Sequence, residues 1–387
     1  MGQTSIKTLE PQLGSIPDFG PKVQKDFAKK DAIIKKLDAG TQYDDLADEE
    51  KLILEKYDLY DDMWDILGNE DSWYCGEGPY KVTASSFLTP SGNVDYKPKN
   101  AHDFSFKTAW VEGVKGYGIG EYLEYYFTNT CPRVTDIKIY NGYVKSDKAW
   151  KENSRVKTIK LYVNDTPYAI LNLKDTKAEQ TFTVEPLGRR TDGKDLILKF
   201  EIVDVYKGTK FDDVVITELF FDGLDVLCLA KGTNIRLPSG DEKPIENLQV
   251  GDAILTYNMK SKKLVTSKIM GIIKVSHCNL VRLSFEEGVE IISTDDHPFW
   301  IINKGWSSFN PKKSKQYSNI EKIGHIELGD EFQYISTDGK VMTAKLTMID
   351  KLNDTMETYA ISALDNNDNF FANGLLVAIE VVGESKK

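Results

Sequence analysis

The chain has 387 residues, enough for two or three domains, and a net charge of -11 at neutral pH. Such an acidic chain lacks the basic surface that general nucleic-acid binding requires, so nucleic acid is not expected as a partner. No apolar run approaches the ~20 residues of a membrane-spanning helix, so no transmembrane segment is expected. Four cysteines are too few for a disulfide scaffold at this length and leave the redox compartment open.

Residues 1–69 are predicted to form an arm followed by helices. Residues 1–20 are rich in Pro, Gly and Ser, and residues 21–38 have the apolar spacing of an ordinary helix. Residues 47–67 predict an acidic amphipathic helix, which either packs on its own domain, the commoner use, or binds a partner. Its stripe recurs every three or four positions and consists of Ile53, Tyr57, Tyr60, Trp64 and Leu67.

Residues 70–227 change to a β pattern. Apolar and polar residues alternate through 157–163 and 195–203, and residues 214–221 are rich in β-branched and aromatic side chains. Turn signals such as Asn141-Gly142 separate these runs. Short strands with such turns predict an antiparallel β-sandwich.

Residues 103–121, 139–155 and 204–218 carry a resemblance to a known family. They are similar to the galactose-binding-like (discoidin-type) β-sandwich, and more narrowly to the NADase-type glycan-binding modules of bacterial surface and secreted proteins. The resemblance implies non-catalytic binding of a carbohydrate. Those modules often carry Cys-Ser-Trp-Tyr-Cys just ahead. Here Asp71 stands at the first position, so Cys75 needs another partner or stays a thiol, and the state of Cys131 is equally open.

Sugars are bound by aromatic faces together with planar polar side chains. The alternative for the same side chains is structural: Trp110 as part of the core, and Arg155 and Asp103 as ties between loops. Asp103, Asp212 and Asp213 are weak candidates for calcium ligands. The candidate glycan contacts are Trp110, Glu112, Tyr117, Tyr143 and Arg155.

Residues 228–382 predict a second all-β unit of short strands with glycines at the turns, followed by a polar tail at 383–387. Five features follow one another in this unit: Cys228 at its start, Leu248–Asp252, Thr294–His297, Gly305-Trp306 with Leu328–Asp330, and the apolar stretch 369–377. This ordered set resembles the Hint fold, the autoprocessing fold of Hedgehog proteins and inteins.

The resemblance implies that the Cys228 sulfur attacks the Leu227 carbonyl and converts the peptide bond into a thioester, an N–S acyl shift. His297 would give a proton to the leaving nitrogen, and Thr294 would hold this peptide or its oxyanion. His277 is a second candidate, since Hint domains often have a histidine there. Water or another nucleophile would then release residues 1–227 in a single turnover that needs no cofactor.

Two positions depart from the family pattern. Splicing inteins end in His-Asn, whereas Ala378 and Ile379 follow Val377 here, so neither splicing nor C-terminal cleavage is expected. The closing region of Hint domains often contains a Tyr-Asp pair whose acid assists the first step, whereas Ala360 follows Tyr359 here. The expected reaction is therefore one-sided and slow.

The sequence thus predicts a bacterial glycan-binding module fused to a Hint domain that releases or transfers it. The alternative is a carbohydrate-binding protein with a catalytically silent Hint domain. The expected partners are a glycan and a nucleophile that accepts the thioester. Secretion or display at the cell surface is expected, although the first residues lack a basic-then-apolar signal pattern.

Overall fold

The computed structural model divides into two compact units. The first contains Met1–Asp71 and Pro79–Gly223, and the second contains Ser72–Gly78 and Leu224–Lys387. Strands dominate both units and helices are few among the described residues, so the predicted mainly β fold class with a short helical N-terminal segment is confirmed. The structure describes residues 6–57, 62–66, 73–74, 78–129, 131–188, 194–224, 226–278, 280–315, 320, 322–352 and 354–379.

Two helices near the N terminus belong to the first unit. Helix α1 spans Pro21–Asp38, and a proline suits its first turn because the missing N–H has no intrahelical acceptor there. Helix α2 spans Asp48–Lys56, and the Glu50 carboxylate accepts a hydrogen bond from the Ala47 N–H at 3.1 Å.

The predicted helix over 47–67 is too long. Helix α2 ends at Lys56, Tyr57 is extended, and residues 62–66 form a turn and an isolated bridge. The aromatic residues of the predicted stripe have separate partners: the Tyr57 ring lies 4.6 Å from that of Phe27, and the Trp64 ring stacks on Phe19 at 4.7 Å. Their spacing thus reflects tertiary packing, and Tyr60 and Leu67 lie outside the described residues.

The strands of the first unit form one hydrogen-bonded network. Its main path runs β2-β9-β6-β11-β7-β10-β5-β3, β1 pairs in parallel with β8, and β4 pairs with β11. The short helix α3 spans Asp147–Glu152. The strands are β1 Lys7–Leu9, β2 Gln12–Leu13, β3 Lys81–Ala84, β4 Trp110–Val111, β5 Tyr122–Phe127, β6 Arg133–Asn141, β7 Ser154–Val163, β8 Thr166–Asn172, β9 Gln180–Leu187, β10 Leu196–Tyr206 and β11 Val214–Leu224.

The core of the first unit follows from strand alternation. In β10, Leu196, Leu198 and Phe200 are buried while the residues between them are partly exposed. Phe200, Tyr125 and Phe221 form an aromatic cluster with ring centroids 5.0–6.2 Å apart.

A buried carboxyl lies beside this core in β11. The side chain of Glu218 is fully buried, and its Oε1 accepts hydrogen bonds from the N–H groups of Asp103 and Ser105, both at 3.2 Å. Burial, reinforced by the nearby Asp103 carboxylate, raises the pKa of Glu218 well above its usual range. The folded unit therefore keeps the Glu218 proton up to a higher pH than the unfolded chain does.

The first prediction concerns stability. Above the ordinary pKa of a glutamate, the unfolded chain ionises while the folded chain keeps its proton, so folding becomes less favourable as the pH rises toward the raised pKa. Glu218→Gln removes this dependence. The difference in melting temperature, variant minus wild type, is expected to be larger at about pH 8 than at about pH 5. Thermal unfolding of both proteins at the two pH values measures this difference. The exposed Glu185→Gln serves as the control, and an equal difference for Glu218→Gln at both pH values would contradict the assignment.

The second unit contains a fifteen-stranded network with the main path β14-β13-β25-β26-β19-β22-β23-β17-β18-β12-β24-β16-β15. Its short helix α4 spans Pro311–Ser314. The strands are β12 Leu229–Ala230, β13 Asn234–Arg236, β14 Glu242–Pro244, β15 Ala253–Asn258, β16 Lys263–His277, β17 Leu280–Phe285, β18 Glu290–Thr294, β19 Phe299–Ile301, β20 Gly305–Ser308, β21 Gly324–His325, β22 Glu331–Ile335, β23 Val341–Leu352, β24 Met356–Leu364, β25 Asn369–Ala372 and β26 Leu375–Ala378.

The short strand β12 places the start of this unit in the middle of the network. Leu229 pairs with Ser293 of β18 on one side and with Tyr359 of β24 on the other. Both pairings are antiparallel, so the preceding residue, Cys228, lies between Thr294 and Ala360. Among the described residues, no helix is long and apolar enough to cross a membrane.

Candidate functional site

Cys228 and the peptide bond before it lie inside the second unit. The side chains of Leu227 and Cys228 are 2% and 0% exposed. Thr294 holds this segment in two ways: its N–H donates to the Cys228 carbonyl at 3.0 Å, and its Oγ1 accepts from the Cys228 N–H at 3.3 Å. The nitrogen of the Leu227–Cys228 peptide bond is therefore fixed by the threonine that the sequence predicts for this role.

His297 follows Thr294 through a tight turn in which its N–H donates to the Thr294 carbonyl at 3.1 Å. The ring is 3% exposed, and within the described part of the chain neither ring nitrogen has a hydrogen-bond partner. Burial lowers the pKa of His297 to about 3, and the backbone groups of Cys228 and Ala378 near the ring partly oppose this shift. His297 is thus a neutral imidazole beside the backbone of Cys228, and it can accept one proton and donate another.

The Cys228 side chain packs among apolar groups. Its cluster consists of Val226, Cys228, Ile273, Val275 and Ala360. Ala360, where the sequence resemblance implies an assisting acid, contributes a methyl group to this cluster. The other members of the cluster are apolar, so none of them can accept the Cys228 proton.

Asp295 and Asp296, the two acids that precede His297, contact the segment around helix α4. The Asn310 side-chain amide donates to the Asp295 carboxylate at 3.0 Å, and the Lys313 ammonium lies 3.7 Å from it. The carboxylate of Asp296 is fully buried and lies 4.0 Å from the same ammonium. These ion pairs give both acids a partner other than Cys228.

His277, the second predicted histidine, is tied to strand β24. Its Nδ1 lies 2.6 Å from the Thr358 hydroxyl, which itself donates to the Val275 carbonyl at 2.7 Å. Because that hydroxyl has a single hydrogen, Nδ1 of His277 must carry the hydrogen and donate. This bond joins the end of β16 to β24 and gives His277 a structural role.

The closing strand brings its last residues close to the histidine turn. Val377 of β26 pairs with Phe299, and the Ala378 N–H donates to the Pro298 carbonyl at 3.0 Å. The side chains of Ala378 and Ile379 are buried. Neither has the amide group that cyclises at the C-terminal end of splicing inteins.

Two of the predicted glycan contacts are internal to the first unit. Trp110 is fully buried, and its Nε1 donates to the Ser86 carbonyl at 2.9 Å. Glu112 is fully buried as well and accepts hydrogen bonds from the N–H groups of Val114 at 2.8 Å and Val214 at 3.3 Å. Burial raises the pKa of Glu112. Neither side chain is available to a ligand, because a bound sugar would have to displace the packing around it.

Arg155 and Tyr143 are also structural. Arg155 forms a two-point ion pair with Asp175, at 2.8 and 3.1 Å, and its guanidinium lies 4.4 Å from the Trp150 ring. Tyr143 donates its hydroxyl to the Lys107 carbonyl at 3.2 Å, and burial raises its pKa to about 12. The alternative interpretation, that such residues connect loops, describes this pair better.

Tyr117 is the remaining predicted contact and the most accessible of the five. Its ring is half-buried, and the Lys207 ammonium lies 4.6 Å from the ring centroid.

The calcium candidates are not assembled into a site. Asp103 accepts hydrogen bonds from Ser105 N–H and the Thr108 hydroxyl, and Asp212 is exposed. The Asp213 carboxylate lies near Glu112. Across the described ranges, no three or more His, Cys, Asp or Glu side chains are grouped so as to hold a metal ion.

One cysteine differs from its expected role. Cys278 is predicted to be a small buried or half-exposed residue, whereas in the structure it is half-buried and disulfide-bonded. Cys131 and Cys228 are buried and belong to no disulfide. Cys75 lies outside the described residues. The spacing of the four cysteines gives no signal for this bond.

Two family models match the chain. Residues 73–222 match the NAD glycohydrolase translocation F5/8 type C domain, and residues 229–335 match the Ataxin-1 and HBP1 module. Among curated proteins, DNA-directed RNA polymerase III subunit rpc2 of Dictyostelium discoideum is 30% identical over 111 residues. That match spans 28% of this chain and 7% of the length of the polymerase subunit.

Similar solved structures are inteins or intein-like. A DnaB intein from Synechocystis is 18% identical, covering 40% of this chain and 99% of that chain with a TM-score of 0.34. The gp41-1 intein is 20% identical, covering 40% and 99%, with a TM-score of 0.30. A bacterial intein-like domain from Clostridium thermocellum is 18% identical, covering 40% and 99%, with a TM-score of 0.32.

Proposed function

We propose that this chain cleaves its own backbone between Leu227 and Cys228. The observation that carries the proposal is the pair of hydrogen bonds between Thr294 and Cys228, one of which fixes the nitrogen of that peptide bond. The neutral His297 ring beside the same backbone supplies a group that can move a proton. A nucleophile, a held amide and a proton carrier are the minimum for an acyl shift.

The reaction begins when the Cys228 thiol passes its proton to the neutral His297 ring and the sulfur attacks the Leu227 carbonyl carbon. The tetrahedral intermediate collapses as the C–N bond breaks, and the departing nitrogen takes a proton by way of His297. A thioester now joins Leu227 to the Cys228 side chain. Water or another nucleophile attacks this thioester, which releases residues 1–227 and regenerates the thiol on a new N-terminal Cys228. The protein turns over once and needs no cofactor.

The test compares two buried thiols. Purified wild-type chain is expected to accumulate a fragment that begins at Cys228 during incubation with a nucleophile at neutral pH, as followed by intact mass. Cys228→Ala is expected to stay whole, whereas Cys131→Ala, which removes the other buried thiol, is expected to cleave like wild type. Cleavage that persists in Cys228→Ala would contradict the proposal.

The threonine can be tested in the same assay. Thr294→Val removes the oxygen that accepts the Cys228 N–H and leaves that buried donor without a partner. From the cost of such an unpaired donor, we expect cleavage to be about tenfold slower. Thr294→Ser keeps the hydroxyl and is expected to retain most of the rate. Equal rates for the two variants would show that the hydroxyl has no part in the reaction.

The second candidate function is carbohydrate binding with a silent second unit. The packing of Ala360 against Cys228 in an apolar cluster favours this alternative, since no other side chain of the cluster can take the thiol proton. A wild-type chain that stays intact under all the conditions above, while it still binds a glycan, would select this candidate.

We infer that the first unit binds a carbohydrate, which the match of residues 73–222 to an F5/8 type C domain supports. Tyr117 is the candidate contact, because its ring is accessible. A glycan array probed with the full-length Cys228→Ala chain is expected to give a specific signal that Tyr117→Ala weakens. An array without signal above background would remove the claim. Secretion or surface display is proposed with it, and the disulfide at Cys278 supports an oxidising compartment.

A further inference from the structure

The lysine-rich stretch around helix α4 takes no part in the proposed acyl shift, yet it holds the turn at residues 294–297. The Asn310 N–H donates to the Asp295 carbonyl at 2.8 Å, and the Ser314 hydroxyl donates to the Asp296 carbonyl at 2.7 Å. Asp295 and Asp296 are the two middle residues of the turn. Both of their backbone carbonyls are therefore held by helix α4 and its N-cap residue.

A second buried serine orients the Ser314 hydroxyl. Ser308 and Ser314 are both fully buried, and their hydroxyl oxygens lie 2.6 Å apart. The Asp296 carbonyl is the nearer of two carbonyls around Ser314, since that of Asn310 lies at 3.0 Å. Because a hydroxyl has a single hydrogen, Ser308 must be the donor in the bond between the two serines when Ser314 donates to Asp296. This buried chain of hydroxyls gives the turn a fixed attachment point.

The Lys313 ammonium adds an electrostatic contact to the same two residues. It lies 3.7 Å from the Asp295 carboxylate and 4.0 Å from the Asp296 carboxylate. The Asp296 side chain is fully buried, and a buried carboxylate is costly unless a cation lies nearby. Lys313 thus favours the arrangement in which the turn stays against helix α4.

We propose that Asn310, Lys313 and Ser314 are positioning residues for the self-cleavage, because through the turn they hold the His297 ring beside the Cys228 backbone. They act on the turn and not on the bond that is broken. This proposal rests on the proposed cleavage, in which His297 carries the proton.

The turn needs these outside contacts because its own hydrogen bond fixes only its shape. That bond runs from the His297 N–H to the Thr294 carbonyl at 3.1 Å, and it would survive a rotation of the whole turn. The contacts with helix α4 fix the direction in which the turn faces. A displacement of about 1 Å in a reacting group can cost about 10²-fold in rate, so the direction of the ring controls the reaction.

The first arm of the test measures the cleavage rate of the full-length chain in hydroxylamine, by intact mass after reduction. Ser314→Ala and Lys313→Met are each expected to slow cleavage about tenfold. Lys313→Arg keeps the positive charge and is expected to retain most of the rate. Lys312→Met removes an exposed lysine of the same helix and is expected to cleave like wild type. Wild-type rates in Ser314→Ala and Lys313→Met, or equal losses in Lys313→Met and Lys313→Arg, would overturn the proposal.

The second arm does not depend on cleavage. The full-length Cys228→Ala chain is prepared with isotope-labelled histidine, and the ring signal of His297 is assigned in an NMR spectrum by its loss in His297→Gln. Adding Ser314→Ala is expected to shift this signal and to leave that of His277, the buried histidine bonded to Thr358, in place.

An unchanged His297 signal would overturn the positioning role. Equal shifts of the His277 and His297 signals would also overturn it, since they would indicate a general loosening of the unit. A wild-type chain that never cleaves would refute the proposed function, and the NMR arm would still decide whether helix α4 positions the ring.

Discussion

Ala360→Asp is expected to accelerate cleavage at Leu227–Cys228 by about 10²-fold, the lower end of what a positioned acid–base group contributes. The register of β12 with β24 places residue 360 opposite Cys228, and both belong to one apolar cluster. An aspartate there would be largely buried, which raises its pKa toward neutrality. A carboxyl group with such a pKa can take the thiol proton at neutral pH and return it later in the reaction.

The matched control is Ala360→Asn, which has nearly the same shape and cannot ionise. It is expected to cleave no faster than wild type. Both variants place a polar group in an apolar cluster, so both are expected to lower the melting temperature. Acceleration by the asparagine, or none by the aspartate in a folded chain, would show that Ala360 is not the position that limits the first step.

His297→Gln is expected to slow cleavage by about 10²- to 10⁴-fold, the range for loss of a proton-transferring side chain. The ring is next to the backbone of Cys228, and no other titratable side chain is brought to that nitrogen by the described contacts. His277→Gln is the control, since it removes an equally buried histidine that is bonded to Thr358. If the two variants lose the same activity, the loss reflects folding and the assignment of His297 fails.

The pH dependence of the reaction gives a separate check on His297. Its pKa is lowered to about 3, so the ring stays neutral from about pH 5 upward and its protonation state does not change there. The cleavage rate is therefore expected to show no break near the ordinary pKa of histidine. A rate–pH profile of the Thr294→Ser chain alongside wild type measures this. A break near pH 6.5 that disappears in His297→Gln would contradict the lowered pKa.

The candidate residues around Cys228 were named from the resemblance to Hint domains, and strand pairing brings them close together. A Thr-x-x-His motif at the end of one strand and a cysteine before another meet whenever the two strands are neighbours, and β12 pairs with β18 as this requires. Ala360 was singled out because the resemblance to Hint domains implies an acid after Tyr359, and the pairing of β12 with β24 places it beside Cys228. The apolar side chains that surround the thiol come from several strands, and only the three-dimensional packing brings Val226, Ile273 and Val275 together.

The candidate glycan contacts were chosen by residue type, and residue type does not encode whether a side chain is exposed. Trp110 and Arg155 have the chemistry of sugar-binding residues, yet the first is core and the second ties strand β7 to the loop that contains Asp175. The long helix over 47–67 failed for a related reason. Helical spacing of aromatic residues also arises when each packs against a different neighbour, as Tyr57 and Trp64 do.

The most direct test of self-cleavage identifies the bond that is attacked. Full-length protein is incubated with hydroxylamine at neutral pH and then reduced with a phosphine. The masses of both fragments are measured by mass spectrometry, and their terminal residues are sequenced. A thioester on Cys228 predicts an N-terminal fragment that ends in a hydroxamate of Leu227 and a second fragment that begins with unmodified Cys228. An intact chain, or a cut at any other bond, would contradict the proposed N–S acyl shift.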